Sequence, residues 1–324
     1  MAKQRLLSGV KPTGKIHIGN YFGAVKQFVD FQDKYECFIF IADYHALNQI
    51  QDPQKLKEDI IEVAKTYLSI GLDPKKVVLF KQSDVPLVTE LAWIFNCLTP
   101  IGELKRAHAY KAAIAKNKPV NMGLFCYPVL MAADILIYQA DIVPVGEDQI
   151  QHIEITRDIA KKFNRVFGET FKIPRAYIPP EVPLLVGLDG RKMSKSYNNS
   201  IDLFDSPEQI RKKVMSIVTD SRSPDEPKDP ETCNIFAFHK LFSQKDLDAI
   251  AQRYRQGKIS YKESKEILIE NMNKYLEPFR KRRKELDENP DIVKKILEKG
   301  KQRALEVASQ TLNLVKKKIG VLLD

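Results

Sequence analysis

The sequence predicts an α/β chain: a doubly wound parallel sheet over about the first 200 residues, then an all-helical second part. Three observations carry this prediction. Apolar runs in the first part are continuous rather than alternating, as strands covered on both faces require. Amphipathic helical patterns separate those runs, which implies right-handed βαβ units. Beyond about residue 200 no convincing strand run recurs, and three-to-four spacing dominates.

The elements follow in chain order. Residues 5–10 read as a strand ending in a turn at Gly9 and Val10, and residues 37–42 as a fully buried strand. Asp52 and Pro53 supply an N-cap and a proline at the first helical position. Leu56, Ile60, Ala64, Tyr67 and Leu68 then recur at helical spacing until Gly71 stops the helix. Further strands are expected at 77–80 and 142–145, with a helix over 129–138. The apolar stretch 87–98, with the only tryptophan, Trp93, is either an interface element or core. Ser206-Pro207-Glu208-Gln209 forms a capping box that opens the helical part. Residues 221–230 carry three prolines and read as a surface connection. Two long helices, over 260–287 and 291–319, meet at Asn289-Pro290. These readings place one domain at 1–200, with a possible interface insertion at 85–125, and a second at 201–324 whose last helix can pack back on the first.

Composition excludes several classes. A chain of 324 residues with 44% hydrophobic residues can bury a core and is not disordered. No apolar stretch approaches the ~20 residues of a membrane helix. The segment from Met1 to Arg5 has no export pattern, so a cytoplasmic location is expected. Cys37, Cys97, Cys126 and Cys233 include no C-x-x-C pair, which argues against a disulfide framework or a cysteine-rich metal site. His108, His152 and His239 lack metal-ligand spacing and read as structural or surface residues. No structural metal is expected.

Fifty-two Lys and Arg against 42 Asp and Glu give a net charge of +10, which favours a polyanionic partner without naming one. Residues 275–324 hold 13 Lys/Arg against 8 Asp/Glu, densest at Arg280-Lys281-Arg282-Arg283-Lys284. That cluster is either a solvated helix face or a polyanion-binding surface.

Two motifs carry chemistry. Pro12-Thr13-Gly14-Lys15-Ile16-His17-Ile18-Gly19-Asn20 follows the first strand and opens a helix. Gly19 permits close approach of a ligand to the backbone, and His17 and Asn20 add donors three residues apart. The segment contains neither a Walker sequence nor G-x-G-x-x-G, and a glycine turn with a backbone-satisfied histidine would look similar. The second motif, Gly187-Leu188-Asp189-Gly190-Arg191-Lys192-Met193-Ser194-Lys195-Ser196, puts two lysines and two serines on a polar, glycine-flanked loop. Such a loop can bring ammonium groups to charge that develops during a reaction; otherwise it is an ordinary solvated loop.

Together, His-Ile-Gly-Asn and Lys-Met-Ser-Lys-Ser resemble the two signatures of class I aminoacyl-tRNA synthetases. The segments Ser8–Gly14, Asp43–Ala46, Tyr127–Leu136 and Val143–Gln149 look like the bacterial tryptophanyl-tRNA synthetase family. The resemblance implies a Rossmann-type nucleotide-binding catalytic domain and a helical anticodon-binding domain. It implies activation of L-tryptophan with ATP and Mg²⁺, transfer to tRNA(Trp), and a homodimer.

Residue by residue, the resemblance assigns His17 and Asn20 to the triphosphate and Gly19 to close approach of the nucleotide. Lys11, Pro12 and Thr13 lie beside ATP. Lys192 and Lys195 stabilise the leaving pyrophosphate, Ser194 and Ser196 donate hydrogen bonds, and Met193 lies near the adenine. Gly146, Glu147 and Asp148 take the ribose. For tryptophan, Asp134 accepts the indole N–H and Met131 packs on the ring, while Tyr127 and Gln149 hold the α-amino group. Positions 127, 131 and 134 share a helix face. His45 lies near tryptophan or is structural. Three positions depart from the family pattern: Lys11 where glutamine is frequent, Leu7 where an aromatic flanks the indole, and His17 where threonine is frequent. Lys111 matches a phosphate-contacting lysine only loosely. Three rival readings stay open: a tyrosyl-tRNA synthetase, which shares the fold and both signatures, a small-molecule nucleotidyltransferase, and a non-catalytic tRNA-binding paralogue.

Overall fold

A computed structural model describes residues 3–12, 14–117, 119–178 and 185–322, with Ala109 and Asp148 described by their backbone alone. β1 (Arg5–Val10) leads into a helical run that begins as α1 (Ile18–Asn20), loosens to a π-helical turn at Tyr21–Val25 and continues as α2 (Lys26–Phe31). β2 (Glu36–Ile41), α3 (Asp43–Ala46), α4 (Pro53–Ser69) and β3 (Val77–Lys81) follow, and a 3-10 turn, Gln82–Asp84, closes β3. Next come α5 (Leu87–Asn96), α6 (Ile101–Lys105), α7 (His108–Ala115) and α8 (Met122–Ile137). β4 (Ile142–Pro144), α9 (Ile150–Phe167) and β5 (Arg175–Tyr177) complete the sheet.

All pairings are parallel and the strand order is β3-β2-β1-β4-β5. The chain therefore reverses direction across the sheet between β1 and β4, where their carboxyl ends leave a crevice. Alternate residues explain why the strands read as unbroken apolar runs. Leu6, Ile39 and Leu79 enter one core with α2, α4 and the later helices. Leu7, Phe38, Phe40 and Phe80 enter the other with α5, α8 and α9.

The helical part comprises α10 (Pro207–Met215), α11 (Asn234–Phe242), α12 (Leu247–Arg255), α13 (Tyr261–Glu288) and α14 (Pro290–Lys318). The capping box at Ser206 and Gln209 is formed, and so is the Asp52 cap of α4. Just past residue 200 the chain pairs with the first motif: Ile18 N–H donates to Ile201 O at 3.0 Å, and Leu203 N–H to Ile16 O at 3.2 Å. The chain stays with the sheet until about residue 205, because this antiparallel bridge ties it to the first motif.

Three elements differ from the sequence expectation. β5 is a three-residue strand with no apolar run to reveal it. α8 begins at Met122 rather than 129, because Asn121 caps it and Pro128 sits inside the helix instead of at its start. The connection at 221–230 lies on the surface as expected, and it is anchored there. The Lys228 ammonium is buried and donates to the carbonyls of Ser223, Pro224 and Glu226. The basic cluster of α13 is divided: Arg283 forms a two-pronged pair with Glu62 of α4, at 2.9 and 2.5 Å, and Lys65 pairs with Asp287 at 2.6 Å. Arg280 donates to the Asn273 and Asp205 carbonyls. Arg283 ties two helices together and Arg280 ties α13 to the chain just before α10, which leaves Lys281, Arg282 and Lys284 as the exposed members.

Candidate active site

The crevice between β1 and β4 holds a cavity of about 430 Å³. Its floor is the carboxyl end of β1, where Gly9 makes room for a ring. A Cβ there would come within 2.5 Å of the Phe40 ring, which covers the strand from β2. Leu7, Lys11, His45, Tyr127, Met131, Asp134, Gly146 and Gln149 all line this cavity, so the structure brings together every residue expected at the amino acid and one expected at the ribose. Phe40, Val143 and Val145 make the remainder largely apolar. Lys11 lies over the Tyr127 ring at 4.9 Å, and burial lowers the pKa of its ammonium.

Asp134 is buried on α8 and is not a helix cap. Its carboxylate accepts from His45 Nε2 at 2.8 Å and from Gln82 Nε2, which lies 2.9 Å from each oxygen. His45 Nδ1 is buried and has no hydrogen-bond partner among the described residues. The Asp134 pKa is raised above the usual carboxylate value, because burial outweighs the donors His45 and Gln82 that pull it down. Nothing in the sequence singles out Gln82. It is one polar residue in the turn after a strand, and its partner lies 52 positions away.

The two motifs face one another across a second cavity of about 430 Å³, lined by His17, Gly19, Asn20, Leu185, Lys192, Met193, Ser194 and Tyr197. His17 caps α1: its Nδ1 accepts from the Asn20 N–H at 3.2 Å, and Asn20 Oδ1 receives the His17 N–H at 3.4 Å. A neutral His17 therefore carries its proton on Nε2, as a donor. Burial lowers its pKa, Lys195 lowers it further, and Asp202 opposes them. Gly19 lies against the second motif, since a Cβ there would meet Met193 Sδ at 3.4 Å. Lys195 reaches the turn at Gly14, its Nζ lying 3.9 Å from where a Cβ would stand. Gly14 has a φ of +83°, a backbone conformation that favours glycine.

The second motif is framed by a residue beyond it. The buried Asn199 accepts the Ser194 N–H at 2.8 Å and donates to Asp189 at 2.7 Å and to the Lys192 carbonyl at 3.2 Å. Gly187 leaves it room, because a Cβ at that position would fall 2.2 Å from the Asn199 amide nitrogen. Ser194 and Ser196 share a hydrogen bond of 2.8 Å. Pro12 is buried but lines neither cavity, and Glu147 is exposed outside both. Thr13 and the Asp148 side chain lie outside the described residues. Among the described residues no group of His, Cys, Asp and Glu is arranged to hold a metal ion. No helix among them is long and apolar enough to cross a membrane.

Residues 2–277 match the family model for class I tRNA synthetases of the W and Y type. A tryptophan–tRNA ligase of Campylobacter jejuni is 49% identical over 321 residues, covering 98% of this chain and all of that protein. One from Rhodopirellula baltica is 46% identical over 318 residues, covering 98% and 99%. The crystal structure of the tryptophanyl-tRNA synthetase from Campylobacter jejuni, complexed with ADP and tryptophan, superposes with a TM-score of 0.91 at 48% identity. It covers 98% of this chain and 100% of that one.

Proposed function

This chain belongs to the class I tRNA synthetases of the W and Y type, and from that membership we propose how its two facing cavities perform the reaction of a tryptophan–tRNA ligase. The chain activates L-tryptophan with ATP and transfers it to tRNA(Trp). The observation that carries the reading is the placement of the two motifs on one cavity, next to an apolar pocket containing a buried carboxylate.

In activation, a tryptophan carboxylate oxygen bonds to the α-phosphorus, and the bond from that phosphorus to the β-phosphate oxygen breaks. Pyrophosphate leaves with the electron pair. The protein supplies positioning and compensation of negative charge rather than covalent chemistry. His17, through Nε2–H, and the exposed Asn20 side chain donate to the phosphates; Gly19 lets the nucleotide approach the start of α1. Lys11, which lines the amino-acid cavity, meets ATP from that side, and Gly146 meets the ribose. Lys192 and Lys195 receive the charge that develops on pyrophosphate. Ser194 and Ser196 add hydrogen bonds, and Met193 shapes the adenine side. Mg²⁺ would enter with ATP and offset phosphate charge, while the ammonium, imidazole and amide groups of the motifs would meet the phosphates rather than the ion.

Tryptophan occupies the first cavity with its indole between Met131 and Leu7. Its N–H donates to Asp134, and its α-amino group meets Tyr127 and Gln149. Leu7 replaces the aromatic neighbour with a smaller apolar wall. His45 acts through Asp134. In the second step a terminal ribose hydroxyl of tRNA attacks the adenylate carbonyl, and AMP leaves.

The division of labour is a catalytic domain over about residues 1–200 and a tRNA anticodon-binding domain over 201–324. The homodimer reading is supported by the 85–125 region. Trp93 and Met122 there are each 70% exposed and Ile101 is 64% exposed, an apolar surface that a second copy would cover. A cytoplasmic location follows from the reaction.

Amino-acid-dependent ATP–pyrophosphate exchange tests the reading. Exchange is expected with tryptophan and not with tyrosine; the reverse, or no exchange with any amino acid, would overturn it. The tRNA side has a separate test. Replacing Lys281, Arg282 and Lys284 with alanine should flatten the salt dependence of tRNA binding and spare tryptophan activation. Arg283→Ala should instead lower the melting temperature, because it strands Glu62. An unchanged salt slope in the triple variant would make that face merely solvated.

A further inference from the structure

The charge of Asp134 is organised by a neighbour that is itself rigidly mounted. Gln82 is 1% exposed and begins the 3-10 turn that closes β3. Three carboxylates converge on that turn. Asp84 accepts the Lys81 N–H at 3.3 Å and its ammonium at 3.0 Å. Asp43 accepts the Ser83 N–H at 2.9 Å and the Ser83 hydroxyl. Asp134 accepts the Gln82 amide at 2.9 Å.

The amide has one workable orientation. Its Oε1 receives the His45 backbone N–H at 3.3 Å while its Nε2 faces the carboxylate. Reversed, it would set oxygen against oxygen and N–H against N–H. Gln82, His45 and Asp134 thus form a closed ring of donors and acceptors within the wall of the amino-acid cavity.

We propose that Gln82 is a positioning residue for tryptophan selection: with His45, it holds the Asp134 carboxylate as a fixed acceptor for the indole N–H. This rests on the reading of Asp134 given above. Two protein donors leave the carboxylate lone-pair capacity for a third. They also satisfy it in surroundings where burial alone would favour the neutral acid. A protonated or rotated Asp134 would set a donor, or nothing, against the indole N–H. Lacking Gln82, the cavity keeps its apolar shape and loses its preference for a ring that carries a donor.

Pyrophosphate exchange kinetics with tryptophan and with 3-benzothienylalanine, in which sulfur replaces the indole N–H, isolate that preference. For the full-length protein, Gln82→Met removes the amide while keeping the length of the side chain. It should reduce kcat/KM for tryptophan about tenfold or more. The value for benzothienylalanine and the KM for ATP should stay within about twofold, so the ratio between the two amino acids collapses. A retained ratio overturns the proposal. Equal loss with both amino acids also overturns it, since that marks a purely structural role. Asp134→Ala, which removes the acceptor, serves as the reference. If that variant keeps the ratio, the Asp134 reading itself fails; if it loses the ratio and Gln82→Met does not, only the Gln82 proposal fails.

Discussion

Replacing Lys195 with alanine should slow tryptophan activation roughly 10²–10³-fold while changing the KM for ATP only a few-fold. The free site explains the asymmetry. Lys195 is exposed, and among the described residues no carboxylate pairs with it. Its ammonium stands by the Gly14 turn, within reach of the cavity that both motifs line. On the proposed reading, the triphosphate charge of bound ATP is already met by the donors at the start of α1. As pyrophosphate departs, negative charge grows on the oxygen leaving the α-phosphorus, and an ammonium nearby gains most at that moment. The loop is built to deliver it. Asn199 fixes the backbone at Ser194 and Lys192, so Lys195 is carried on a framed turn rather than a free strand of chain. Single-turnover formation of the adenylate at saturating ATP measures the effect. A variant with a normal rate constant and a raised KM would show that Lys195 only binds ground-state nucleotide. Lys195→Arg, which keeps the charge at altered reach, should recover part of the rate.

Much of this arrangement can be read from the sequence, for physical reasons that also mark where reading stops. Strands buried on both faces leave unbroken apolar runs, so β1 to β4 are legible; Arg175-Ala176-Tyr177 is not, because a three-residue strand shows no period. Asp52 and Ser206 announce their helices through short-range capping chemistry, whereas Pro128 misleads because a helix can continue through it. At the site, Asp134 is visible as a carboxylate among apolar neighbours. Gln82 and Asn199 are invisible for a shared reason: each is an amide in a turn, where amides are common, and its importance lies in what it touches. Arg283 is the converse case. It sits in a basic run that looks solvated, and only the fold shows that Glu62 claims it.

Gly300→Ala is expected to be the most damaging small substitution in the helical part, with a net loss of about 2–4 kcal/mol. In an exposed helix the same change would gain up to ~1 kcal/mol from helix propensity. Here the sign reverses, because α14 lies against the edge strand β3 at this residue. A Cβ on Gly300 would stand 1.8 Å from the Leu79 carbonyl oxygen and 2.6 Å from its carbon. A side chain could swing aside; a strand carbonyl cannot, so the helix must lift. Lifting it disturbs Ala304, Ala308 and Leu312, which α14 buries in the core beneath the sheet. The melting temperature of the full-length protein should fall by roughly 5–10 °C. A second readout follows from the position of Leu79 on β3, three residues before Gln82 in the turn that closes the strand. Displacing β3 shifts the turn that orients Asp134, so the KM for tryptophan should rise more than the KM for ATP, whose motifs lie elsewhere. A normal melting temperature would mean that α14 slides freely over the strand. Lost stability with an unchanged tryptophan KM would mean that the Asp43 and Asp84 anchors isolate the Gln82 turn from the helix behind it.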